Sequence, residues 1–133
     1  MSSIVDQMYN GDLFSQRLGI RRAEEGPGFC TLEMEVRSEM VNGFGIAHGA
    51  VTYALADSAL AFASNAHGRK AVSIETSINH LKPVRPGDRL RAVAEETSLG
   101  HKLGIYTIRV SRGDDLVALF KGIVYRREEE WEV

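Results

Sequence analysis

The chain has 133 residues, 44% of them hydrophobic, which is enough for one buried core and too few for two ordinary domains, so a single domain over 1–133 is expected. Sixteen basic and 18 acidic residues leave a formal charge of -2, so no net field draws nucleic acid or an anionic membrane, and an anionic ligand must be met by a local patch. Cys30 is the single cysteine and has no intramolecular partner, and Met1 to Gln7 lack the basic and apolar regions of a signal peptide; a reducing, cytoplasmic setting is expected.

In chain order, Ile4, Val5 and Met8 stand at helical spacing before an Asn10-Gly11 stop, which predicts a short N-terminal helix over about 3–14. A hairpin follows: Leu18 to Glu24, a turn at Glu25-Gly26-Pro27-Gly28, and Phe29 to Val36, where Leu32, Met34 and Val36 alternate with Thr31, Glu33 and Glu35. Cys30 falls within the second strand, as a small buried hydrophobe or as a reactive thiol; no catalytic role is assigned to it.

Residues 49–66 read GAVTYALADSALAFASNA, rich in alanine and free of proline, and predict a long helix over about 48–66. Its apolar positions run most of the way round, the mark of a helix enclosed by other structure, and Asp57 is its only charge. A membrane span is disfavoured, because Thr52, Asp57, Ser58, Ser64 and Asn65 interrupt a segment already at the lower length limit. Downstream, residues 71–81, 89–97, 103–111 and 116–125 are strand-like and separated by tight turns, which predicts an antiparallel meander. Glu128-Glu129-Glu130 is expected to be a solvated end. One apolar helix, a hairpin ahead of it and four strands behind make an α+β fold: an antiparallel sheet curled around one central helix.

The run Met40-Val41-Asn42-Gly43-Phe44-Gly45-Ile46-Ala47-His48-Gly49-Ala50, leading into a helix with an acid eight positions after Gly49, resembles the signature of hotdog-fold thioesterases, specifically their phenylacetate-degradation branch. The likeness extends to Ser73-Ile74-Glu75, the Lys82-Pro83 turn and Pro86-Gly87-Asp88; it departs at Ala50, where the family commonly has a second glycine. The resemblance implies a homodimer assembling into a homotetramer, sites at the dimer interface, and hydrolysis of acyl-CoA thioesters without a separate cofactor, CoA being part of the substrate. It also implies that Asp57 activates or orients water, that Gly49 offers its N–H to the thioester carbonyl, and that Asn42 supports that pole. Ser73 falls where some relatives place a residue assisting the nucleophile.

The residues point the same way on their own. Thioester hydrolysis needs a base or nucleophile on one side of the carbonyl and donors where negative charge develops on its oxygen. Gly49 belongs to the first helical turn, whose N–H groups lack intrahelical partners and carry the positive end of the macrodipole. Asp57 is a lone carboxylate on an apolar helix, which costs several kcal/mol or raises its pKa; the plainer reading is a structural acid paired with a backbone N–H or an arginine. Residues eight apart rise roughly 12 Å and turn about 80°, so these two cannot grip one carbonyl from the same chain. If both act on one thioester, two copies of the helix run antiparallel across a two-fold axis.

Asn42 is equally a turn residue, and His48 either a helix cap or a polar contact to substrate. Phe44, Ile46, Tyr53 and Phe62 are candidate apolar walls for an aromatic or medium acyl chain. Arg85 and Lys102, with Lys82, Arg89, Arg91 and His101, gather around two turns as candidate partners for CoA phosphates or as solvated charges. No His/Cys/Asp cluster has metal spacing, so no metal is expected. Two further functions compete. A hotdog enoyl-CoA hydratase or dehydratase needs a histidine opposite the acid, where this loop has Asn42; a non-catalytic acyl-CoA-binding protein would be marked by loss of the acid.

Overall fold

The computed structural model describes residues 2–133. Its elements are helices α1 (Ser3–Gly11) and α2 (Leu13–Arg17), strands β1 (Arg21–Gly26) and β2 (Phe29–Glu35), helix α3 (Gly49–Asn65), and strands β3 (Arg69–His80), β4 (Arg89–Leu99), β5 (Leu103–Arg112) and β6 (Asp115–Glu130). The strands form one antiparallel sheet in the order β1-β2-β4-β5-β6-β3, and all six pack against α3. Alternation decides which face does so: Leu90, Ala92 and Ala94 of β4 and Tyr106, Ile108 and Val110 of β5 point inward, against Leu55, Ala59, Leu60 and Phe62. Burying each large side chain of this kind contributes about 1.5–3 kcal/mol.

The sheet and the two N-terminal helices enclose α3 except along one stripe, where Ala54, Asp57, Ser58 and Ala61 are half-buried. Small residues let the two layers approach. A Cβ on Gly122 would stand 2.5 Å from Leu60 Cδ2, and Leu60 is 1% exposed. Gly122→Ala is therefore expected to destabilise the fold by about 1–3 kcal/mol through overpacking, seen as a lower thermal midpoint; an unchanged midpoint would mean the helix yields freely there.

Four features differ from expectation. The N-terminal helix is broken at Asp12, whose carboxylate accepts the Ser15 N–H at 3.0 Å and so caps a second short helix running to Arg17. Leu18 consequently closes that helix, and the first strand begins at Arg21. The last strand runs on to Glu130 instead of ending at Tyr125, so the acidic run at 128–130 is solvated as expected but is strand, with cations facing it: Lys70 Nζ donates to Glu129 at 2.9 Å and Arg69 pairs in register with Glu130. The four last strands are not a simple meander, since β2 occupies one edge of β4 and β5 the other, leaving β3 only the outer edge of β6. Residues 81–88 carry the chain back across, with Leu81 and Lys82 N–H both on the Val117 carbonyl.

The two sheet edges differ in chemistry. β1 is short and charged, as protected edges are, whereas β3 is 12 residues long and exposes Val72 (52%) and Ile74 (59%). Among the described residues no helix is long and apolar enough to cross a membrane.

Candidate active site

The loop before α3 is a small hairpin closed by a Val41–Ala47 bridge. Gly45, at φ +79, supplies the left-handed residue that its turn requires. Asn42 shapes this loop with its backbone and side chain together: its N–H donates to the Ile46 carbonyl, its carbonyl accepts Gly45 N–H, and its Oδ1 accepts Phe44 N–H at 2.9 Å. Because Oδ1 is taken by a backbone donor, the amide nitrogen is the free end of the side chain. Ala47 N–H on the Val84 carbonyl and His48 N–H on the Met40 carbonyl pin the loop from both sides.

His48 is the helix cap. Its Nδ1 accepts the Ala50 N–H at 3.0 Å and its carbonyl accepts the Val51 N–H at 2.9 Å. The cap leaves Gly49 N–H without a protein acceptor among the described residues, at the positive end of a 17-residue helix. Gly49, Asn42 and Ile46 line a cleft of about 360 Å³ with Ala47, Thr52 and His80. Residues 81–84 complete its wall.

Asp57 lies in a different cleft, of about 270 Å³, walled by Leu60, Ala61, Ser64, Ala71, Val72, Ser73 and Val124. Burial, reinforced by the negative charge of Asp12, raises the Asp57 carboxyl above its ordinary value, and no hydrogen bond opposes the shift. The paired structural acid is thus absent among the described residues. Asp12 is held near by a short relay: it accepts the Ser15 hydroxyl at 2.6 Å, and Ser15 Oγ lies 2.8 Å from Ser58 Oγ, next to Asp57. The far end of this cleft is tied by Asn65, 2% exposed, which bonds the Ala61 carbonyl at 2.8 Å and both backbone groups of Ala71, at 2.9 and 3.0 Å.

The structure brings Ser73 beside Asp57, and Ile46 beside Asn42 and Gly49, and it separates other candidates from both clefts. Tyr53 is not a pocket wall: its hydroxyl bonds Thr76 and its ring meets Phe120 edge-on at 5.3 Å, because its helical face turns toward β3 and β6. Phe62 is core, 1% exposed. Phe44 sits at the loop tip, 89% exposed, because the Asn42 turn throws it outward. Arg85 and Lys102 occupy turns at opposite ends of β4, so one chain cannot bring both to one ligand. The Cys30 thiol is buried, which pushes its pKa up to about 12 and makes a thiolate nucleophile untenable.

One cleft residue escaped the sequence reading. His80 stands at the end of β3, two residues before the Lys82-Pro83 turn, and it lies against the start of α3. No local pattern marks it; only the packing of β3 on the helix does.

The thioesterase superfamily model matches residues 44–119. Acyl-coenzyme A thioesterase PaaI of Escherichia coli is 37% identical over 90% of this chain and 86% of its own length. The structure of the E. coli PaaI protein from the phenylacetic acid degradation operon superposes with a TM-score of 0.92 at 34% identity, covering 96% of this chain and 93% of that one. The TT0310 protein of Thermus thermophilus gives 0.85 at 39% identity, over 87% and 98%.

Proposed function

The chain belongs to the thioesterase superfamily, its sheet wrapped on α3 is the hotdog fold, and on that premise we propose that it hydrolyses a small acyl-CoA at a site shared between two copies. The observation that carries the shared site is the division of the chemistry: the free Gly49 N–H and Asn42 line one cleft, Asp57 and Ser73 line another, and the two have no residue in common. Along α3 the poles are about 12 Å apart. Two copies joined edge to edge through β3, antiparallel, set the Asp57 cleft of one opposite the Gly49 cleft of the other, since β3 runs from Ala71-Val72-Ser73 in the first cleft to His80 in the second. The length of the open β3 edge and its exposed Val72 and Ile74 support this pairing. Dimers then pair into a homotetramer, an assembly that rests on the family resemblance and is read by sedimentation.

In the working site, Gly49 N–H and the Asn42 amide hold the thioester oxygen while Asp57 of the opposite copy attacks the carbonyl or takes a proton from the attacking water. Burial keeps that carboxylate poorly solvated and hence basic, and the apolar walls of its cleft receive the acyl group. An aromatic acyl group is preferred in this reading, in line with the operon named for the E. coli relative. No cofactor enters the scheme, CoA arriving and leaving within the substrate. A cytoplasmic location is proposed on the same footing, in keeping with a single, buried, free cysteine.

Release of CoA thiol across a panel of acyl-CoAs, with enoyl-CoA hydration and simple binding measured in parallel, tests the assignment. Thiol release is expected; hydration or binding without turnover would replace hydrolysis. The same pairing brings the Arg85 turn of one copy toward the Lys102 turn of the other. Arg85→Ala with Lys102→Ala is accordingly expected to raise KM for CoA esters about tenfold or more with kcat little changed, as loss of two charge-assisted phosphate contacts should. An unaltered KM removes both residues from the CoA site.

A further inference from the structure

At the carbonyl pole one capable group has no part in the reaction above: the imidazole of His80. It packs so closely on the start of α3 that a Cβ on Gly49 would meet its Nε2 at 3.2 Å and its Cε1 at 3.4 Å. On the other side of the ring, Nδ1 lies 3.3 Å from the hydroxyl of Thr52, a residue 4% exposed. That hydroxyl also stands 3.3 Å from the Gly49 carbonyl. The hydroxyl hydrogen has two acceptors in reach, the second lone pair of that carbonyl and the Nδ1 lone pair of the ring, and its donation to Nδ1 is part of the proposal made below. With Nδ1 accepting in this way, the ring proton is carried on Nε2. Nε2 has no partner among the described residues, and the ring lines the cleft beside the unused Gly49 N–H.

Gly49 and the imidazole thus line one cleft side by side, the ring at contact distance from where a Gly49 Cβ would stand. Taking the cleft as the thioester site proposed above, we propose that His80 Nε2–H is a second donor to the thioester oxygen, and that Thr52 is the positioning residue that holds the required tautomer. As the nucleophile bonds to the carbonyl carbon, the C=O π pair moves onto oxygen and is held by Gly49 N–H and His80 Nε2–H. The pair then returns, the C–S bond breaks and CoA leaves as thiolate. With water as nucleophile, the proton lost to Asp57 passes to that sulfur, so that one water and one thioester become one acid and one thiol. Gly49 has a second reason to be glycine here, because even a Cβ would press on the imidazole and make it give by a few tenths of an ångström.

His80→Phe keeps a ring in place and deletes the donor; it is expected to lower kcat about 10²-fold or more, the usual cost of one oxyanion donor, with KM changed much less. His80→Gln, which retains an N–H, should recover about tenfold of that loss. Thr52→Val should lower kcat several-fold, whereas Thr52→Ser, which keeps the hydroxyl, should not. The inference is overturned by a kcat for His80→Phe within about twofold of wild type, or by equal losses in the Phe and Gln variants, which mark the ring as packing alone. If His80 variants do not fold, the Thr52 pair decides: equal kcat for valine and serine overturns the inference. Loss of the thioesterase reading shows separately, as absence of thiol release by the wild-type protein.

Discussion

Asp57→Asn is expected to cut kcat for acyl-CoA hydrolysis by about 10²–10⁴-fold while leaving the fold intact or more stable at neutral pH. The carboxylate is the one charge on a largely apolar helix, and nothing among the described residues neutralises it. Asparagine keeps its shape and removes its basicity. The stability sign follows from the direction of the shift. Burial and Asp12 raise the folded-state pKa above the unfolded one, so the folded chain binds the proton more tightly. Stability from this group is then complete below the unfolded pKa and is lost as pH rises through the folded pKa. The variant escapes that loss, so its advantage in a thermal melt should appear above this window and vanish below it. In the wild-type enzyme the acid limb of the kcat/KM profile should lie above the ordinary aspartate range, since Asp57 acts only when ionised. Asp12→Asn should move that limb toward lower pH, because it removes a repelling charge. Wild-type turnover in Asp57→Asn would remove Asp57 from the chemistry altogether.

The second large effect concerns mixtures. Asp57→Ala and Gly49→Val should each be nearly inactive alone, the first lacking the base and the second forcing a side chain onto His80, whose ring is already at contact distance. After subunit exchange, a mixed dimer contains one site built from an intact helix tip and an intact carboxylate, opposite a site that lacks both. Equal mixing makes half the dimers mixed, each with one good site of two, so activity should return to about a quarter of wild type. Exchange verified by two distinguishable tags, with no recovery of activity, would place both poles of the site within one chain and end the shared-site mechanism.

Much of this was legible in the residues, for identifiable reasons. Helix α3 is visible because alanine dominates it and no proline or internal glycine interrupts it. Asp57 is visible because a charge in that setting is costly. The hairpin and the last three strands follow from alternation and turn residues. What was hidden depends on which edge of a strand is already taken: β3 sits outside β6 because β2 and β5 have claimed β4, a fact about pairs separated by as many as 66 residues. His80 was hidden for the same reason, since its partners Gly49 and Thr52 lie about 30 residues back and are met only through the sheet. Tyr53 and Phe62 were misplaced because a helix apolar on every side does not announce which faces meet a strand and which a ligand.

Strand β3 carries a wall of each cleft, Ser73 toward one end and His80 at the other. Where two such strands meet, the distance between reacting groups becomes a matter of alignment: a slip of one residue moves the opposing copy by about 3.3 Å and turns its side chains to the wrong face. Both sites of the pair would go silent in the same instant. With the site shared as proposed, a misassembled pair would have no half-working form, and turnover itself would gauge whether two chains had been zipped in step.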